Sequence, residues 1–156
     1  MAKLLPIIIA PNKILRQKST DVNPEDIQSP KIKELLLDME KTMLEKDGVG
    51  LAAPQIGKNL NIIVINNRKK TLFIINPKIT KRSFSRVSDE EGCLSIPNTY
   101  GDVLRNKKIN VTYLDENNKK QKINASDLLA RIFQHEIDHI NGILFTDKAK
   151  NITIKS

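Results

Sequence analysis

The two histidines of this 156-residue chain both lie in Phe133-Gln-His-Glu-Ile-Asp-His-Ile-Asn-Gly-Ile-Leu-Phe145. Positions i and i+4 share a helix face, so His135 and His139 can aim both imidazoles at one point, with Glu136 beside them. That arrangement binds a divalent cation and places a carboxylate to take a proton from water. A core helix carrying two hydrogen-bonded histidines would have the same spacing. A catalytic centre needs a third protein ligand and an open fourth position. No glutamate follows the motif, and the longer form His-Glu-x-x-His-x-x-Gly-x-x-His matches at Gly142 but ends on Phe145. Both peptidase completions therefore fail. The remaining soft donor is Cys93, in Glu90-Glu-Gly-Cys-Leu-Ser-Ile-Pro97. A thiolate with two imidazoles suits a borderline-soft divalent metal, and Gly92 lets the backbone approach it. Taken alone, a single cysteine is as readily a small buried apolar residue.

A third stretch, Gly48-Val-Gly-Leu-Ala-Ala-Pro-Gln-Ile-Gly57, begins like a dinucleotide fingerprint. That reading fails: a helix pattern precedes the stretch, Pro54 interrupts it, and Arg68-Lys69-Lys70 stands where an acidic residue belongs. A loop this rich in Gly and Ala instead admits a substrate backbone, and Gln55 offers an amide donor. A plain turn after a helix is the alternative.

These residues need elements to hold them. Residues 24–30 read as a loop. Ser29-Pro30 opens an amphipathic helix over 30–46 through Ile32, Leu35, Leu36, Met39 and Met43, stopped at Asp47-Gly48. Residues 60–66 and 71–76 are apolar runs joined by Asn66-Asn67-Arg68-Lys69-Lys70, the pattern of a hairpin, and 79–87 reads as a further strand. Ile109, Val111 and Tyr113 alternate as a half-buried strand that turns at 115–119 and pairs back through 120–125. Ser126 is expected to cap the second helix, which runs through His139 to a stop at Asn141-Gly142. In that helix Leu128 and Ile132 extend the histidine stripe, so its metal-facing side is also its buried side. Strands and helices without strict alternation argue for an α+β fold.

The length suits one domain with a single core over residues 1–156, with a short tail at 146–156. Apolar residues make up 39% and aromatics 4%, so the core must be aliphatic. The net charge of +8 raises a nucleic-acid partner. The basic residues are scattered, though, without the interleaved aromatics of a single-strand binder, and no DNA partner is expected. A non-catalytic basic protein with a structural metal stays open as an alternative; its fourth ligand would have to be a carboxylate. One cysteine excludes an intramolecular disulfide and fits a reducing compartment. No run approaches the ~20 apolar residues of a membrane span. The expectation is a cytoplasmic chain, or the mature chain of an organelle, with no membrane partner.

Together Gly48-Val-Gly-Leu-Ala-Ala-Pro-Gln55, Glu91-Gly-Cys-Leu-Ser95 and Gln134-His-Glu-Ile-Asp-His139 resemble the three signature motifs of peptide deformylase, complete and in order. The start Pro6-Ile-Ile-Ile-Ala-Pro-Asn-Lys13, the segment Asn76-Pro-Lys-Ile79 and Arg105 resemble the family too, so the likeness covers nearly the whole chain. It implies small antiparallel sheets around a central metal-binding helix. It implies removal of the N-formyl group from the initiator methionine of nascent polypeptides, releasing formate. Cys93, His135 and His139 would hold one divalent metal ion per chain, Fe(II) foremost, with Zn, Ni or Co as substitutes. Metal-bound water would be the nucleophile and Glu136 the general base. Gln55 and the Leu94 backbone N–H would hold the oxyanion. Glu91 and Arg105 would pair beside the metal and orient the Cys93 loop. The substrate would meet Gly48, Val49, Gly50, Glu91, Tyr100, Leu128, Ile132 and the stem of Arg131. Tyr100 stands where some relatives carry an arginine near the substrate backbone. Many bacterial members dock to the ribosome through a C-terminal helix, whereas Asn151-Ile-Thr-Ile reads as a short strand.

Overall fold

The structure is a computed structural model and describes residues 1–68 and 70–155. Helix α1 spans Pro30–Glu45 and α2 spans Asp127–Ile140. The strands, in chain order, are β1 (Gly50–Ala52), β2 (Ile62–Asn67), β3 (Lys70–Arg82), β4 (Arg86–Cys93), β5 (Ile96–Asn106), β6 (Lys108–Leu114), β7 (Lys120–Ser126) and β8 (Lys150–Ile154). Five form an antiparallel sheet in the order β1-β2-β3-β6-β7, and three form a second in the order β4-β5-β8.

The first sheet separates the two helices. Successive side chains of a strand point to opposite faces, and both faces of β2 are covered, so its apolar run is continuous. Ile63 and Ile65 join Phe133, Ile137 and Ile140 of α2; Ile62 and Val64 join Ile32, Leu36, Met39 and Met43 of α1. The single core expected from length is thus two apolar layers divided by a sheet. Each fully buried Ile or Met contributes roughly 1.5–3 kcal/mol. Phe133 is the one fully buried aromatic in these two layers among the described residues.

Local chemistry sets the ends of α1. The Ser29 hydroxyl accepts the Ile32 N–H at 3.3 Å, and Pro30 takes the first helical position, where no N–H is needed. At the other end Asp47, rather than Gly48, adopts the left-handed φ of 55°, while Gly48 N–H returns to the Met43 carbonyl at 2.9 Å.

Three sequence expectations change. The segments 71–76 and 79–82 are one strand, β3, because irregular pairing with β6 between Ile75 and Lys81 absorbs Asn76-Pro77. Asn76 sits there at φ 54°, its amide exchanging bonds with Val22 N–H and C=O at 2.9 and 2.8 Å. Residues 86–87, expected in that same strand, begin β4 instead. Ser126 precedes α2 but makes no capping bond; Asp127 turns to φ 56° and donates its N–H to the Lys107 carbonyl at 2.9 Å, so a tertiary contact starts the helix. Lys69 of the expected hairpin turn and Ser156 of the tail lie outside the described residues. The rest of the tail forms a turn, Phe145–Asp147, and β8, which pairs with β5. Among the described residues no helix is long and apolar enough to cross a membrane.

Candidate active site

The hairpin β4–β5 carries Cys93 at its tight end, where strand pairing becomes irregular between Gly92 and Cys93. Gly92 faces Tyr100 so closely that a Cβ there would lie 2.8 Å from the ring. That contact fixes the turn over α2. Cys93 Sγ then lies 3.2 Å from His139 Nε2, and the donor atoms of Cys93, His135 and His139 all fall within 4.8 Å of one another. Among the described residues the cluster has three protein donors and no fourth carboxylate. A soft sulfur with two imidazole nitrogens fits a borderline divalent ion with a position left open.

The electrostatics agree with such a cation. Burial, then the charges of His135 and Arg105, hold His139 well below the ordinary imidazole value, so it stays neutral, as a ligand must. His135 goes the other way: burial would lower it, but Glu136, Cys93 and Glu91 raise it to about 10. The surroundings of His135 therefore favour positive charge. Glu136 is 4% exposed, and burial raises its carboxyl to about 7 against the pull of His135. Glu136 Oε1 and His139 Nδ1 are buried without a hydrogen-bond partner among the described residues. A buried group left without a partner needs a reason, and at this cluster a catalytic role or a bound ion supplies one.

Each neighbour is positioned by something specific. Gln55 lies in the Ala53–Ile56 turn, where its Oε1 accepts the Ala52 N–H at 2.9 Å. That bond settles the amide orientation. The Nε2 must then face the metal ligands, 3.1 Å from Ser95 Oγ and 3.5 Å from Cys93 Sγ. Glu91 accepts from the Arg105 fork, Nε and Nη2 both at 2.9 Å, and faces His135 Nδ1 at 2.8 Å. Burial would raise this carboxylate, but the hydrogen bonds from His135 and Arg105 prevail and hold it at about 2. With Nδ1 so engaged, Nε2 of His135 is left for the cluster.

A cavity of about 480 Å³ opens over the cluster, and its walls include Gly48, Val49, Gly50, Gln55, Glu91, Cys93, Leu94, Tyr100, Leu128, Arg131, Ile132, His135 and Glu136. His139 lies beside Cys93 without lining the cavity, and Arg105 stands behind Glu91. Val49 is exposed, and so is Leu128, so the face of α2 expected to be buried from Leu128 onward is buried only from Ile132, its first turn opening onto the cavity. Gly50 sits against Glu136; a Cβ there would come within 2.7 Å of Oε2. Tyr100 lies under the ammonium of Lys155, 4.6 Å from the ring centroid.

Several participants were not foreseen. Ser95 receives the Gln55 amide, and Asp138 takes Arg105 Nη1 at 2.6 Å. Both lie inside the recognised motifs, which was their only signal. Phe145, whose presence ruled out the longer zinc motif, stacks on the His135 ring with centroids 6.1 Å apart. The guanidinium of Arg131 turns onto Glu91, a partner that sequence spacing does not reveal.

Comparison with known proteins agrees with this geometry. The family model for polypeptide deformylase matches residues 4–155. A peptide deformylase from Nostoc is 43% identical over 145 residues, 90% of this chain and 76% of that protein. The crystal structure of a peptide deformylase from Synechococcus elongatus, in complex with actinonin, superposes with a TM-score of 0.89 at 41% identity, covering 97% of this chain and 82% of that one. A Met-Ala-Ser-bound peptide deformylase from Acinetobacter baumannii gives 0.90 at 33% identity, covering 95% and 99%.

Proposed function

The chain belongs to the peptide deformylase family, and on that premise we propose how its residues divide the work of deformylation. The enzyme is a metal-dependent hydrolase that removes the N-formyl group from the initiator methionine of nascent polypeptides and releases formate. The observation that carries our reading is the convergence of Cys93, His135 and His139 within 4.8 Å, beneath a cavity that Glu136 also lines. In this reading residues 1–156 form one catalytic domain.

Cys93, His135 and His139 hold one divalent ion, to which we assign Fe(II), with Zn, Ni and Co as substitutes the same donors accept. When bound, the ion supplies Lewis acidity that makes water a nucleophile near neutral pH. Glu136 moves the proton: Oε1, buried and without a protein partner, takes it from the attacking water and returns it to the departing amine as the C–N bond breaks. Oxyanion charge falls to Gln55 Nε2, aimed by the Ala52 N–H, and to the Leu94 backbone N–H. Losing one such donor typically costs on the order of 100-fold or more in rate.

Val49, Leu128, Ile132 and the ring of His135 offer the methionine side chain an apolar wall, while Gly48 and Gly50 let the peptide backbone lie close. β1 ends its sheet, leaving an edge on which an extended peptide can add. Tyr100 borders the path beyond methionine. The Met-Ala-Ser-bound relative supports an unblocked peptide as a product that this fold can hold. The partners are therefore formylmethionyl nascent chains. A reducing cytoplasmic setting suits the single thiol.

The test is formate release from formyl-Met-Ala by anaerobically reconstituted Fe(II) or Ni(II) protein, with metal content measured alongside. Glu136→Ala should lose about 100- to 10,000-fold. Release no faster than that variant's would sink the reading.

A further inference from the structure

Arg131 lies one turn before His135 on α2, and its guanidinium meets three acceptors. Nη1 donates to Glu91 Oε2 at 2.7 Å and to the Val103 carbonyl at 2.8 Å; Nη2 donates to the Val87 carbonyl at 2.7 Å. The residue is 9% exposed. Glu91 is thereby saturated: Oε1 meets Arg105 Nη2 and His135 Nδ1, while Oε2 meets Arg105 Nε and Arg131 Nη1. Two donors per oxygen fill the capacity of a carboxylate.

The two arginines do different things. Arg105 comes from β5 and grips the carboxylate with a planar fork, which fixes its plane. Arg131 grips it from α2, the helix that also carries His135. Glu91 is therefore tied to α2 at two points one turn apart, closing a ring from Arg131 through the carboxylate to His135 Nδ1. The same guanidinium reaches β4 through Val87 and β5 through Val103, the two strands of the Cys93 hairpin. A wall residue of the methionine pocket would need only the stem of such a side chain. Three short bonds, two of them buried, to one carboxylate and two carbonyls go beyond that.

We infer that Arg131 is a positioning residue for the metal ligands: through Glu91 it sets the ring of His135, and through Val87 and Val103 it sets the hairpin that presents Cys93. This inference rests on the Cys93–His135–His139 reading. It predicts that Arg131 governs how tightly and in what geometry the cation is held, as outer partners of metal ligands typically do at about 10- to 100-fold in affinity.

The probe is Co(II), read without turnover. Arg131→Met keeps an unbranched apolar stem and removes every donor. Chelator competition should show Co(II) held about 10- to 100-fold more weakly. The visible d–d and thiolate-charge-transfer bands should shift, with circular dichroism unchanged. Arg131→Lys keeps one donor and should recover part of both. Unchanged affinity and spectrum in Arg131→Met, with only a lower melting temperature or a raised KM for formyl-Met-Ala, would overturn the inference in favour of packing or a pocket wall. Should Arg131→Met not fold, Arg131→Lys decides: weaker Co(II) retention at a native melting temperature supports the inference, and wild-type retention overturns it. Failure of the wild-type chain to bind Co(II) at all would instead bring down the metal-site reading itself.

Discussion

Helices α1 and α2 cover opposite faces of one sheet, and they treat buried polar groups in opposite ways. On α1 the buried polar side chains, Asp38 and Thr42, each have a hydrogen-bond partner. Asp38 accepts the Lys3 N–H at 2.7 Å; Thr42 donates to the Asp38 carbonyl at 2.7 Å and accepts the Leu5 N–H at 2.9 Å. On α2 the polar groups divide. Gln134 and Arg131 are satisfied by β4 and β5, whereas Glu136 Oε1 and His139 Nδ1 are buried without partners among the described residues. An unmade buried bond costs about 1–3 kcal/mol, so α1 is built for stability and α2 gives up part of it at the site.

Single substitutions can break that contrast. The largest effect is expected at Gly50, where a Cβ would lie 2.7 Å from Glu136 Oε2 and 2.9 Å from its Cγ. The backbone can remain in place while the carboxylate is pushed aside. A displacement of about 1 Å at a reacting group costs on the order of 100-fold. Gly50→Ala should therefore lose about 100-fold or more in kcat/KM with its urea midpoint close to wild type. Wild-type turnover by this variant would mean that the position of Glu136 is not what matters.

Met39 on α1 should show the reverse. It is fully buried in the layer between α1 and the sheet. Met39→Ala should cost about 2–5 kcal/mol in urea unfolding through the lost burial and the cavity left behind. At temperatures well below the transition, kcat should be unchanged. A fall in kcat there would show that the two faces are coupled through the sheet.

The same division explains what the sequence made legible. Both helices were readable because apolar stripes of period 3.6 survive in Ile32-Leu36-Met39-Met43 and in Leu128-Ile132-His135-His139. The i, i+4 histidines announced the site, and the lack of another soft donor led to Cys93. The hairpin β4–β5 was not readable as such. Arg86-Val-Ser-Asp-Glu-Glu-Gly-Cys93 is mostly exposed, so it carries no apolar alternation and is held by pairing with β5 instead of burial. β1 is a three-residue strand opening on glycine, below any periodic signal. The contact of Arg131 with Glu91 spans 40 positions and exists only because β4 is laid against α2. Local pattern predicts elements; a network whose members come from three elements has no local pattern.

The smallest effect concerns an arginine–carboxylate pair outside the site. Arg16 Nη1 and Nη2 meet Asp147 at 2.5 and 3.0 Å, and Asp147 also accepts the Leu144 N–H at 3.1 Å. The chemistry matches Arg105–Glu91, but the side chains are 49% and 37% exposed, against 3% and 4% for the site pair. Water and salt screen the outer pair, so Arg16→Ala should cost no more than about 1 kcal/mol, and less in 1 M salt. Its pH dependence has a definite sign. The Arg16 hydrogen bond, against a smaller effect of burial, holds Asp147 below its ordinary 3.8. A carboxylate depressed in the folded state contributes stability above its unfolded value and loses it as pH falls toward the folded one. The wild-type advantage over Arg16→Ala should thus be present at pH 6 and shrink below about pH 3.8. Urea midpoints of both proteins measured from pH 6 to pH 3 would show it. An advantage unchanged down to pH 3 would mean that the charge of Asp147 is not what holds Arg16 in place.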